Sequence, residues 1–412
     1  MELKMNYHYT YFIHPFAIKE GKYQKYILKM LKDKNCKLKT FQKEKDLKTY
    51  QYFLPKTRDF LFSSFRLGND KIKELKELPL ETRAALLSKY PCNIFEYTIK
   101  KDIQGKIDDK KGIFFVISKI EIVCFETGIC FLVMKTNIED DYNFANLLNF
   151  NYKFRDINQE GIKLDAYDNI RLQTNSFESA ETFRNFIKNI TGSSIESIKL
   201  DIDTERFLTY SYTCVEQSAW NGTNSFDGVS HYFEKYVNVL PVDDIKKIKD
   251  ETGKIFTISK WKYAKLAISK LGIMLFSSSE DMNNYTMLPD EFENQYLYTY
   301  IINLYKKIYL KRIAMDLKDP KQIKSARKKF IKFTKELWIQ EITEDEIGTN
   351  LNHKIQETLE LKELYNEVKN QYDVLYKDLN IEKNQRVTLL IGLVLAISLI
   401  FNVLNFILLS KN

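Results

Sequence analysis

The last stretch of this 412-residue chain constrains it most: residues 387–409 read VTLLIGLVLAISLIFNVLNFILL and carry no charge. As a helix rising 1.5 Å per residue, that run is ~35 Å long, enough to cross a ~30 Å hydrocarbon core. The sequence therefore predicts one transmembrane helix over 387–409 and a short extracytoplasmic tail, 410–412. Lys377, Lys383 and Arg386 precede the run and only Lys411 follows it. By the positive-inside rule the preceding chain is cytoplasmic, the run is surrounded by membrane lipid, and the protein is single-pass in the bacterial inner membrane.

Composition excludes several function classes. With 63 Lys+Arg and 55 Asp+Glu the net charge is +8 over the whole chain. No Arg-rich block or aromatic–basic module accompanies it, so direct nucleic-acid binding is not expected. Hydrophobic residues at 44% and aromatics at 14% supply a packed core and exclude wholesale disorder. Cys36, Cys92, Cys124, Cys130 and Cys214 are scattered without a C-x-x-C pair, which argues against a disulfide framework and favours a reducing compartment. The opening residues, polar and aromatic, contain no apolar signal region.

Catalytic signatures are absent. The chain has no phosphate-binding G-x-x-x-x-G-K-[ST], no G-x-G-x-x-G, no H-E-x-x-H and no nucleophile elbow. His8, His14, His231 and His353 lie far apart and form no local metal pattern. Asp201 with Asp203, and Glu139-Asp140-Asp141, read as solvated turn carboxylates, with oxygen ligation of a divalent cation as the alternative. An enzyme is not expected, and no cofactor is implied beyond a divalent cation or a nucleotide ligand.

Residues 1–290 read as one α+β (α/β-like) cytoplasmic sensor domain, or two subdomains. Residues 113–125 and 129–136 predict a hairpin across Glu126-Thr127-Gly128, with the glycine free to take a positive φ. Residues 207–215, 232–240, 263–268 and 273–276 also alternate like strands. Residues 23–31, 80–89 and 180–190 read as helices, the last with Ser179 as N-cap, and 221–230 as a surface loop. Strand signals cease after Leu288-Pro289-Asp290. Residues 292–317 and 321–341 then predict two helices, and a third starts near Asn350 and continues unbroken to Leu409. Residues 291–386 thus form a helical stalk.

Two patterns on that last helix point to assembly. Leu361, Tyr365, Val368, Tyr372, Leu375 and Leu379 step by 4, 3, 4, 3 and 4, a heptad seam for packing against the preceding helices, copies of the chain, or both. Thr388, Ser398, Asn402 and Asn405 fall within an arc of ~100° on a helical wheel, with Gly392 at its edge. An Asn facing lipid is costly, so this stripe reads as inter-helix hydrogen bonding or as a pore lining.

Residues 329–386 resemble the CorA family of divalent-cation channels and transporters. The resemblance is carried by Phe330-x-x-Phe333, Leu337-Trp338, Glu341-Ile342-Thr343, the Gly348 turn, Leu359-Glu360-Leu361, Glu363-Leu364-Tyr365, Glu367-Val368 and Leu375-Tyr376 ahead of an apolar helix. It implies a homo-oligomer of five stalks around a pore, gated by the cytoplasmic domains. The family's second membrane helix and its Gly-Met-Asn filter have no counterpart here, and Asp281-Met282-Asn283 lies upstream of the helices. CorA-like proteins without that motif include membrane effectors of type III CRISPR defence, triggered by a nucleotide second messenger. Three functions follow as expectations: a CorA-like channel or effector with a ligand-sensing domain, a reduced divalent-cation (magnesium) transporter, or a tail-anchored scaffold without a pore.

Overall fold

The computed structural model describes residues 2–98, 103–107, 113–139, 142–155, 170–173, 181–191, 206–242, 254–339 and 341–409. Its strands are β1 (Met5–Ala17), β2 (Cys36–Leu38), β3 (Cys92–Tyr97), β4 (Ile103–Ile107), β5 (Ile113–Phe125), β6 (Ile129–Ile138), β7 (Ile170–Gln173), β8 (Glu181–Thr182), β9 (Leu208–Val215), β10 (Phe256–Ile258), β11 (Ala264–Ser269) and β12 (Gly272–Ser278). They join in one sheet of order β10-β11-β12-β9-β1-β6-β5-β4-β7-β8, with β2 and β3 branching from β5. Among the described residues, β9 and β12 are the parallel pair and the other ladders are antiparallel.

The helices are α1 (Tyr23–Lys32), α2 (Leu47–Tyr52), α3 (Pro55–Leu61), α4 (Ser64–Glu77), α5 (Leu80–Leu87), α6 (Phe144–Arg155), α7 (Phe183–Thr191), α8 (Ser230–Val237), α9 (Asn283–Thr286), α10 (Leu288–Glu291), α11 (Leu297–Lys318), α12 (Ile323–Lys332), α13 (Glu346–Thr358) and α14 (Leu361–Leu409). They cover both faces of the sheet. One core holds side chains of α1 and α4–α8 against Phe12, Ile122 and Leu132. The other holds α2, α3 and α10–α14 against Tyr9, Tyr11, Val123 and Val133.

The hairpin forms as expected, and Gly128 takes φ +83°. A Cβ there would sit 2.8 Å from the Ile18 carbonyl oxygen, so the turn requires glycine. Long β5 carries a bulge between Ile117 and Lys119. Before it Phe115 and Ile117 face the core built by α1 and α4–α8, and after it Ile120, Ile122 and Cys124 do. The extra residue shifts the parity of the strand and aims Lys119 and Glu121 at the α11 side. The edge partner changes at the same place, from β4 to β3.

Several expectations are corrected. Residues 232–240 are not a strand: α8 buries Phe233, Tyr236 and Val237, a helical i, i+3, i+4 set that mimics alternation over a short window. The sheet's central strand, β1, gave no such signal because Tyr9, Tyr11 and Ile13 are buried on one face and Phe12 and Phe16 on the other. Helix 292–317 forms, opening as a π turn over Phe292–Tyr296, but it is a core layer against the sheet, so 291 does not begin a separate stalk. The second helix ends in another π turn at Leu337. The long third helix is two helices: α13 is capped by Asp345, whose Oδ2 accepts from the Gly348 N–H at 2.7 Å, and the chain breaks at Glu360 with φ +55°. Helix 180–190 is α7, starting at Phe183; its expected cap, Ser179, lies outside the described residues.

The membrane expectation is also overturned. Among the described residues no helix is long and apolar enough to cross a membrane. The described side chains of the apolar run span 387–401, and those of 402–409 lie outside the described set. The transmembrane segment, the single-pass topology and the cell-membrane localisation are corrected accordingly.

Candidate functional site

The parallel pair β9/β12 sets up the site. Their carboxyl ends, Val215 and Ser278, lie side by side and next to Met5 at the amino end of β1. Three chain segments therefore emerge at one edge of the sheet, the place where crevices form beside parallel strands. The Ser279 N–H donates to the Val215 carbonyl at 2.9 Å and the Glu216 N–H to the Lys4 carbonyl at 3.0 Å, which fixes the mouth of the opening.

Two clefts meet there. One, of about 670 Å³, is lined by Asn6, Tyr7, Gln217, Ser279 and Tyr285. The other, of about 630 Å³, runs beneath Thr223, Asn224 and Ser225 towards Tyr232 and Lys4. Glu216 and Ser218 belong to both. Each volume suits a small molecule. The loop over the second cleft is organised by Asn221, whose Oδ1 accepts from the Thr223 and Asn224 N–H groups, both at 2.8 Å. Asn224 Nδ2 in turn donates to the Ser218 carbonyl at 2.7 Å. Below the loop, buried Trp220 accepts a hydrogen bond from the Ser278 hydroxyl through its carbonyl.

The wall of the first cleft begins the segment that connects the sheet to α11. Asn284 Nδ2 donates to the Ser278, Lys262 and Tyr263 carbonyls at 2.9, 3.0 and 3.2 Å. Three buried tyrosines then pin the segment from the sheet. Tyr212 donates to the Asn284 carbonyl, Tyr9 to the Pro289 carbonyl at 2.8 Å, and Tyr210 to the Phe292 carbonyl at 2.6 Å. The Tyr210 ring also stacks on Phe292 at 4.1 Å. Burial pushes all three phenols up, so they remain neutral donors.

No family model, no curated protein and no solved structure matches the chain.

The residues singled out from sequence are placed elsewhere. Leu361 and Val368 are buried and Tyr365, Tyr372 and Leu375 partly buried against the chain's own helices. Trp338 stacks on Tyr365 at 4.5 Å, and Phe330 meets Tyr365 and Tyr372 at 5.7 and 5.3 Å. The first half of the heptad seam is thus satisfied within one chain; the Leu379 side chain is outside the described residues. Thr388 and Ser398 are exposed, while the side chains of Asn402 and Asn405 are outside the described set. Among the described residues no group of His, Cys, Asp and Glu could hold a metal. Asp201 and Asp203 lie outside the described residues, as do Asp140 and Asp141.

The cleft residues Tyr7, Glu216, Ser279 and Tyr285 were not anticipated. The sequence signal nearest to them was the polar loop 221–230, which does form one roof. The rest come from three segments brought together by the parallel β9/β12 and antiparallel β1/β9 pairings.

Proposed function

We propose that this chain is a non-catalytic, self-associating ligand sensor. A small molecule occupies the paired clefts, and its presence is passed along residues 279–296 into α11 and then into α14. The observation that carries this reading is that Ser279 and Tyr285, in the cleft wall, belong to the same segment whose carbonyls are pinned by Tyr212, Tyr9 and Tyr210. That segment ends in the π turn Phe292–Tyr296, a wide and uncommon helical form that concentrates at functional sites. Self-association is supported by residues 387–401 of α14, whose large apolar side chains are between 46% and 73% exposed. The chain itself does not cover them, and further copies supply part of that cover. The resemblance of residues 329–386 to the CorA family favours a ring, five-fold by that resemblance.

The test uses adenine and guanine nucleotides and MgCl2 as probes, with amide hydrogen exchange as readout. A probe that binds should slow exchange in 216–225 and 279–296 together, and Tyr285→Ala should weaken its binding. Protection of the cleft without any change in 279–296 would defeat the transduction step. Absence of binding by every nucleotide at millimolar concentration would defeat the nucleotide ligand.

A further inference from the structure

The bulge in β5 assembles a second polar site, separate from the clefts. Lys119 and Glu121 on β5, Lys135 on β6, Lys39 after β2, and Glu293 in the π turn converge between the sheet and α11. Lys39 Nζ lies 2.6 Å from Glu121 Oε1 and 3.2 Å from the Tyr298 hydroxyl. Lys119 Nζ bridges the two acids, 3.3 Å from Glu121 and 3.2 Å from Glu293. Lys135 Nζ sits 2.6 Å from Glu293 Oε2 and 4.5 Å from the centre of the Tyr9 ring.

The charges do not balance. Three ammonium groups face two carboxylates, and the acids are firmly ionised. Burial alone would raise Glu121, but Lys119 and Lys39 hold it down to about 2. Lys119 and Lys135 likewise outweigh burial at Glu293 and lower it. The niche therefore carries one net positive charge. Its lysine side chains are 18%, 22% and 17% exposed, too dry for full hydration. Each ammonium has three donors, more than the partners just named take up from Lys135.

We propose that Lys39, Lys119 and Lys135 form a binding site for a small oxyanion of the phosphate class, which competes with Glu293 for Lys119 and Lys135. Lysines suit this role as mobile point-charge donors, and the missing negative charge is what the anion supplies. Binding loosens Glu293 and with it the π turn at the head of α11. The anion thus acts on the same connecting segment as the clefts, from its opposite side.

The experiment titrates the full chain with potassium phosphate against potassium chloride at matched ionic strength. It follows the ³¹P linewidth and the hydrogen exchange of 292–298. Saturable binding is expected, with faster exchange in 292–298. Glu293→Gln removes the competitor and adds one unit of positive charge, so it should tighten phosphate about tenfold. Lys39→Gln keeps the Glu293 contacts and should weaken phosphate several-fold. A response that chloride reproduces, or phosphate affinity that Glu293→Gln leaves unchanged or lowers, would overturn the proposal. Should Glu293→Gln fail to fold, an unchanged affinity in Lys39→Gln does so instead. Nucleotide binding in the clefts is read separately from 216–225, so either site can fail alone.

Discussion

Helix α11 and residues 387–401 of α14 are both largely apolar, but they meet opposite environments. In α11, 17 of the 22 residues are buried, against the sheet on one side and α12–α14 on the other. Two of its interior polar side chains have partners: Asn303 Nδ2 donates to Asn352 Oδ1 at 2.8 Å, and Lys306 donates to the Ile339 carbonyl. The large apolar side chains of residues 387–401 are exposed around the whole circumference. A helix apolar on all sides is stable only where something surrounds it. For α11 that something is the same chain; under the proposed self-association, further copies supply it for residues 387–401.

The largest predicted effect tests that contrast directly. Ile301 and Ile397 are the same residue type on the two helices, fully buried in the first and exposed in the second. Ile301→Asp should cost several kcal/mol and prevent cooperative folding, because the new carboxylate has no partner in the core. Ile397→Asp should leave the thermal midpoint of the folded part unchanged and reduce the mass measured by light scattering. Equal loss of stability in both variants would show that 387–401 packs against its own chain, and the comparison would collapse.

A second, smaller effect sharpens the account of α11. Burial pushes the Lys306 ammonium down to about 7. The folded state therefore holds fewer protons than the unfolded chain between pH 7 and the ordinary lysine range. Wild-type stability should rise with pH across that window, by on the order of 1 kcal/mol per pH unit, and should reach its low plateau below pH 7. Lys306→Met should flatten the slope, which urea midpoints at pH 6, 8 and 10 would reveal. A slope that persists in the variant would assign the pH dependence to other groups.

The smallest effect concerns α13, which packs beside α11. Asp345→Ala removes the carboxylate that accepts from Gly348 N–H and should cost about 1 kcal/mol in a chemical denaturation curve. A much larger loss would mean that Asp345 also holds the α12–α13 junction against the core, and no loss would mean that core packing alone fixes the start of α13.

The elements legible in the sequence are those whose pattern is local. The β5–β6 hairpin, α1, α5, β9, β11, β12 and α11 all lie where alternation, turn glycines or flanking prolines placed them. β1 escaped because a strand covered on both faces shows no alternation. The break at Glu360 escaped because a non-glycine residue with positive φ has no sequence mark. The seam from Leu361 to Leu375 packs against helices of the same chain. Which surface it meets depends on Phe330, Trp338 and the path of α12, information that no heptad contains.

The sequence by itself determined a large mixed α and β region, a helical C-terminal part, the absence of familiar catalytic motifs and an apolar terminal run. Those follow from composition and short-range periodicity, which act over a few residues. Tertiary structure alone decided that α11 is a core layer, that β9 and β12 run parallel, and that the clefts open at their ends. It also decided that a one-residue bulge turns Lys119 and Glu121 towards Lys39, Lys135 and Glu293. Each of these joins residues distant in sequence, and their meeting depends on strand order and parity, which local side-chain patterns do not encode.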